Sequence, residues 1–247
     1  MSIADSRIHN ATTAAEIAEA LAAGDSIDSR PGGYDQTPLE SAIERRDIET
    51  ARLLIEFGAN VNLRRWDETP LTRACRNGNL EISRLLLDNG AITHDEDSTK
   101  MNALHDAIYG RNIDIIDLLL KKGIDINSVS ERGSTALMIA CSIDNSLIAS
   151  FLLDQGADPD IANSQLKTPL FAVTEKKNRE LLEKLLQKGA DPNVVSQGGL
   201  TPLELVSVHG NAELVERLLQ AGSNPLRVDD EGKTALSLGL VRRETSM

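Results

Sequence analysis

Residues 201–222 read TPLELVSVHGNAELVERLLQAG, and the fold is decided by how this stretch is read. Thr201 is an N-cap residue, and Pro202 stands where a first helical residue has no use for its N–H. Glu204 completes a T-x-x-E capping box. Gly210-Asn211 breaks the first helix after about two turns. Leu214, Val215, Leu218 and Leu219 then form the apolar stripe of a second helix, which Gly222 closes in the left-handed conformation. Neither helix is long enough to persist alone in water. The hairpin must bury its stripe on a neighbour.

The neighbours are written in the same chain. Triplets equivalent to Thr201-Pro202-Leu203 begin at Thr37, Thr69, Asn102, Thr135, Thr168 and Thr234, at one step of 32 and then five of 33 residues. Closing glycines keep the same step at Gly58, Gly90, Gly123, Gly156, Gly189 and Gly222. This period, with T-P-L opening the first helix and endings such as Gly189-Ala190-Asp191-Pro192-Asn193, resembles the ankyrin repeat. The resemblance covers about residues 13–243 and implies an all-α ankyrin-repeat solenoid. Its helix–turn–helix repeats would be joined by β-hairpin-like loops, each repeat resting on the next.

Six full repeats are expected, from near residues 33, 65, 98, 131, 164 and 197, followed by a C-terminal half repeat from 230 and a tail at 244–247. Residues 13–23 read as a second repeat helix that has lost its first, hence an N-terminal cap behind a flexible stretch at 1–12. The connection between the first two full repeats is one residue short. That deletion falls in residues 63–68, around Trp66, and should reshape the hairpin tip. Asn102 replaces the capping Thr and caps as well. Here alone the family's TPLH keeps its histidine, as Asn102-Ala103-Leu104-His105, and the resemblance implies that His105 bonds nearby loop backbone.

Composition narrows the function. Apolar residues make up 40 % of the chain but only six are aromatic, so Leu, Ile, Val and Ala must fill the core. A net charge of −12 argues against nucleic acid and anionic membranes as partners. No apolar run approaches the roughly 20 residues that cross a bilayer. The N-terminus, MSIADSRIHNATTA, lacks the basic start and apolar core of a signal peptide, so a cytoplasmic location is expected. Cys75 and Cys141 share one repeat position two repeats apart, about 20 Å at roughly 10 Å per packed layer. That is beyond disulfide reach, and both read as small core residues.

His9, His94, His105 and His209 show no metal-ligand spacing, and no phosphate-binding loop, G-x-S-x-G or H-E-x-x-H occurs. Neither enzymatic activity nor a cofactor is therefore expected. What remains is surface. The resemblance implies partner binding through the hairpin tips and the exposed face of the first helices. Those positions lie one, three and four residues before each capping residue, and seven and eight after it. The candidates are Tyr34, Gln36, Arg45, Arg65, Trp66, Glu68, Arg76, Met101 and Tyr109.

The single Trp and both Tyr stand on this surface within the first three repeats, and between Arg45 and Arg84 eight arginines face six acids. Arg, Trp and Tyr are the side chains enriched in binding hot spots. The implied function is a non-catalytic protein–protein interaction module, as an adaptor or as a dedicated inhibitor of the immunity type, monomeric alone. Its partner would be another protein, basic or an enzyme that it covers. The alternative is a nucleotide or phosphate receptor in which Trp66 stacks on a base beside Arg64, Arg65 and Arg76. The missing ligand clusters predict that the purified protein carries no stoichiometric metal; elemental analysis finding near one metal per chain would overturn this.

Overall fold

Fifteen short helices form among the described residues of the computed structural model, which are 7–30, 36–94, 96–229 and 231–244, with side chains described as far as 239. The chain divides into two units, Met1–Ile124 and Asp125–Met247. The first holds α1 (Arg7–Asn10), α2 (Ala14–Ala22), α3 (Pro38–Arg45), α4 (Ile48–Glu56), α5 (Pro70–Arg76), α6 (Leu80–Asp88), α7 (Ala103–Gly110) and α8 (Ile113–Lys121). The second holds α9 (Ala136–Ser142), α10 (Ser146–Asp154), α11 (Pro169–Lys176), α12 (Arg179–Gln187), α13 (Pro202–His209), α14 (Ala212–Gln220) and α15 (Ala235–Glu244). No strand forms among the described residues; one isolated bridge joins Arg65 and Glu68.

Caps set where the helices start. The Glu204 N–H donates to Thr201 Oγ1 at 3.3 Å while Glu204 Oε2 takes the Thr201 N–H at 2.8 Å. Asn102 does the same work for α7, accepting the N–H of Leu104 at 3.0 Å, and His105 Nδ1 accepts the Asn102 N–H at 3.2 Å. His105 thus holds loop backbone. Thr168 is the exception: Phe171 occupies the place of the capping-box Glu, and the Phe171 N–H turns to the Thr168 carbonyl at 3.0 Å. The buried Thr168 hydroxyl is left without a partner. Every second helix from α4 to α14 opens on a capping Asp or Asn: Asp47, Asn79, Asn112, Asn145, Asn178 and Asn211.

The N-terminus departs from expectation. Arg7–Asn10 is a helical turn, with Ile8 fully buried and the His9 ring Nε2 bonded to the Gln36 carbonyl at 2.7 Å. Asp25 Oδ2 accepts the Ile8 N–H at 3.2 Å. The first helix missing from the N-terminal cap is therefore supplied, in shortened form, by residues that the sequence reading left loose. Met1–Ser6 lies outside the described residues, as do the tail residues 245–247.

Side-chain ladders tie layer to layer within each unit. Asp28 Oδ1 accepts the Asn60 N–H at 3.0 Å and Asn62 Oδ1 that of Ile92 at 2.9 Å. In the second unit Asn127, Asp160 and Asn193 accept from Asp158, Asp191 and Asn224 at 3.0, 2.8 and 2.8 Å. In the first unit, α5 and α7 also meet backbone to backbone. A Cβ on Gly110 would stand 2.0 Å from the Cys75 carbonyl oxygen, and one on Gly78 2.6 Å from the Gly110 carbonyl. Cys75, packed beneath this contact, has its thiol pushed up to about 12 by burial, as has Cys141, so neither is nucleophilic at neutral pH.

The contact sets a prediction. Gly110→Ala should cost about 2 kcal/mol or more, because rigid backbone must move. Gly156→Ala, at φ 89° with open space around it, should cost about 1 kcal/mol from left-handed strain alone. Denaturant titrations of both variants check this, and equal losses would show that the α5–α7 approach is not constraining.

Candidate functional site

In the first unit, the surface formed by the hairpin tips and the first helices carries a chain of ion pairs across three layers. Arg73, on α5, contacts Glu44 of α3 and holds Glu68 Oε2 at 2.7 Å. Arg76, one turn further, contacts Glu68 Oε1 and binds Asp106 of α7 with Nε at 2.9 Å and Nη2 at 2.6 Å, both on Oδ1. Glu68 joins the two guanidinium groups at the foot of the hairpin tip.

Asp106 is the buried end of this chain. Burial pushes its carboxyl up to about 6, against the pull of Arg76; Glu68 and Asp97 push the same way. Arg76 itself is raised by Asp106, although its own partial burial opposes this. The desolvation of Asp106 prevails because its side chain is almost wholly covered while Arg76 remains part-exposed to water.

The tip above this chain is unlike the five others among the described residues. At five other tips an N–H bonds the carbonyl four residues on, from Asp97 to Met101, Ser130 to Ser134, Asn163 to Lys167, Ser196 to Leu200 and Asp229 to Lys233, at 2.8–3.0 Å. The fourth residue of each is left-handed: Lys100, Gly133, Leu166, Gly199 and Gly232. The one-residue deletion shortens the loop to two residues, closed by reciprocal 2.9 Å bonds between Arg65 and Glu68. The left-handed position then falls on Trp66, at φ 53°, and its side chain is 80 % exposed. A bulky residue there carries roughly 1 kcal/mol of backbone strain.

The other candidates are placed as follows. Tyr34 lies outside the described residues. Gln36 is half-buried and accepts Ser41 Oγ at 3.2 Å. Arg45 is exposed at the end of α3, and Tyr109 is 47 % exposed one turn beyond Asp106. Arg65 and Met101 are half-buried. Arg64 spans two tips, donating to the Asp67 and Glu96 carbonyls, and Arg30 reaches the Arg64 carbonyl at 2.9 Å.

The arginine-rich stretch is thus largely engaged by this protein's own acceptors rather than forming a basic patch. The sequence reading missed Arg73 and Asp106, whereas Glu44 falls on the surface position seven residues after Thr37. Arg73 and Asp106 both stand four residues after their caps, where the second unit has Ile139, Ala172 and Leu205, and charge at that place was the available signal.

Among the described residues, no group of three or more His, Cys, Asp or Glu could hold a metal ion, and no helix is long and apolar enough to cross a membrane. The family model described as "Ankyrin repeats (3 copies)" matches residues 64–130, 125–196 and 170–245, and "Ankyrin repeats (many copies)" matches 39–87. The chain is similar to the ankyrin repeat domain of Bcl-3, a member of the IkappaB protein family, at 25 % identity and a TM-score of 0.74 over 82 % of this chain and 93 % of that one. The human ASB11 ankyrin repeat domain aligns at 25 % identity and a TM-score of 0.71, covering 82 % and 91 %. No curated protein matches the chain.

The raised Asp106 carboxyl gives a pH prediction. A carboxyl near 6 in the folded state and near 3.8 unfolded adds stability that is complete below about pH 4 and lost as pH rises through 6. Relative to Asp106→Asn, the protein should therefore lose on the order of 3 kcal/mol between pH 4 and 7. Denaturant titrations at several pH values read this difference, and a constant gap would mean that Asp106 titrates normally.

Proposed function

The chain belongs to the ankyrin-repeat family, and from that premise we propose that it is a non-catalytic module that binds another protein through the tips and first helices of its first unit, with Trp66 at the centre. Ankyrin-repeat domains are in general protein–protein interaction modules. The observation that carries this reading is Trp66 itself. The side chain lies largely open to solvent and holds a backbone conformation that most residues would avoid. A large aromatic in that position is costly for folding and well suited to contact.

The ion-pair chain beneath supports the same reading. Arg73 and Arg76 are pre-oriented by Glu44, Glu68 and Asp106, so little side-chain freedom is lost when a partner settles on them. Adaptor and dedicated inhibitor, in a cytoplasmic setting, are the two roles this surface suits. In both cases Gln36, Arg45, Met101 and Tyr109 flank the anchor. The nucleotide reading finds less support, because Arg64 and Arg76 are turned to carbonyls and carboxylates of the chain rather than converging on an anion.

Binding of the partner should weaken by at least about 2 kcal/mol in Trp66→Ala, the usual hot-spot scale, with little change in melting temperature. Trp66→Gly should weaken binding equally while relieving the strain, leaving folding unchanged or stabilised by up to about 1 kcal/mol. Exchange of Lys167 or Lys176 in the second unit should cost far less. Calorimetric affinities with parallel melts make the comparison. Undiminished affinity in both Trp66 variants would assign Trp66 to the turn alone.

A further inference from the structure

Three carboxylates share two guanidinium groups on the surface of the first unit. Glu44, Glu68 and Asp106 contact Arg73 and Arg76, so with every group ionised the chain of ion pairs carries one negative charge in excess. One proton removes that excess, and burial decides where the proton goes. The Asp106 side chain is 3 % exposed, whereas Arg76 is 44 % exposed. Both hydrogen bonds that Asp106 accepts, from Nε and Nη2 of Arg76, fall on Oδ1. Oδ2 is left as the place for a proton.

The surroundings of Asp106 supply no second cation. Glu68 from the tip and Asp97 from the loop before α7 both act against its charge, and Cys75 of α5 is a neutral thiol beside it. Asp97 is held by its own loop, accepting the N–H groups of Thr99 and Met101 at 2.7 and 2.9 Å. Arg73 is taken by Glu44 and Glu68, and α8 buries the apolar residues Ile115, Ile116 and Leu119.

We propose that Arg76 receives a carboxylate of the protein partner, and that Asp106 takes up a proton from solvent as it does so. The proposal rests on the reading of this surface as a binding site and adds the chemistry of the group bound. Asp106 is closed to an incoming molecule, but the exposed edge of Arg76 is not. A partner carboxylate there sets four negative groups against two positive ones, and the most buried of the four protonates. Neutral Asp106 then leaves the guanidinium to the newcomer, while Glu68 keeps it in place. An anion on Arg76 favours the neutral form of Asp106, so the bound state holds more protons and affinity increases as pH falls.

The test uses the full chain alone and a peptide of three glutamates blocked at both ends, with backbone amide shifts of α5 and α7 followed by NMR. Affinity should be about fivefold higher at pH 5.5 than at pH 7.5, if the bound carboxylate raises Asp106 by roughly one pH unit. The peptide's own carboxylates lose some charge at pH 5.5, which acts against this trend. Asp106→Asn should bind at pH 7.5 about as tightly as the wild-type chain at pH 5.5, with little dependence on pH. Arg76→Gln should weaken binding about tenfold or more, whereas Lys176→Ala in the second unit should leave it unchanged. In the ¹³C-labelled wild-type chain, saturating peptide should move the midpoint of the Asp106 carboxyl titration up by about one pH unit, which identifies the group without a substitution. None of these readouts uses the partner, so their failure is distinct from a failure of the Trp66 variants to lose affinity. A fixed carboxyl midpoint, equal affinity at both pH values, or undiminished binding in Arg76→Gln would overturn the proposal.

Discussion

None of the described helices exceeds ten residues, and that length is the constraint on which the rest of the structure depends. Helices so short gain little from their own hydrogen bonds. Each survives by pressing an apolar stripe on the layer beside it, with its free backbone groups taken by caps. This explains why Thr, Asn and Asp recur so strictly at the caps. It explains equally why Ile8, on a helix of only four residues, is wholly buried: even a short turn contributes if it covers a neighbour. Stability in such a structure is a sum over adjacent layers. Departures from the period therefore act where they occur.

The surface of the first unit follows from a second constraint, the cost of burying charge. Arg73 and Asp106 replace apolar residues on the inner face of their helices, and a lone buried carboxylate there would be expensive. Arg76 reaches from the neighbouring layer, and Glu68 ties Arg76 to Arg73. Exposed pairs of this kind contribute little individually. Removing one partner of the buried pair is another matter, since it strands the other charge. The network thus acts more as a device that fixes side-chain positions than as a source of stability. On the proposed function, a partner would meet a surface already ordered, with its arginines engaged internally and one aromatic projecting from it.

Much of this architecture was legible in the sequence, because cap, stripe and closing glycine recur with one period and each has a single physical use. The altered tip could be located from the missing residue around Trp66. The conformation of Trp66 could not, since the choice between a three-residue and a two-residue loop rests on how the flanking strands of backbone close. The state of the arginines was not legible either. Counting eight arginines in residues 45–84 suggests a basic patch, but pairing depends on which acids the neighbouring layers bring within reach. Asp106 stands thirty residues from Arg76, and only the stacking of α7 on α5 makes them partners. The helical turn at Arg7–Asn10 was missed because it carries one buried apolar residue and no period.

The two irregularities of the first unit share one logic. Where the repeat is intact, its side chains are consumed by neighbours: Leu203 by α14, Asn193 by the Asn224 backbone, Glu204 by the Thr201 N–H and by Arg227. The most exposed aromatic side chain among the described residues, Trp66, stands where the repeat is interrupted. The deletion at residues 63–68 leaves Trp66 open to solvent. At the N-terminus the same kind of gap is closed by the chain itself, with Ile8 taking the place of a full first helix. That contrast separates an irregularity which the chain covers with its own residues from one which leaves a large aromatic exposed.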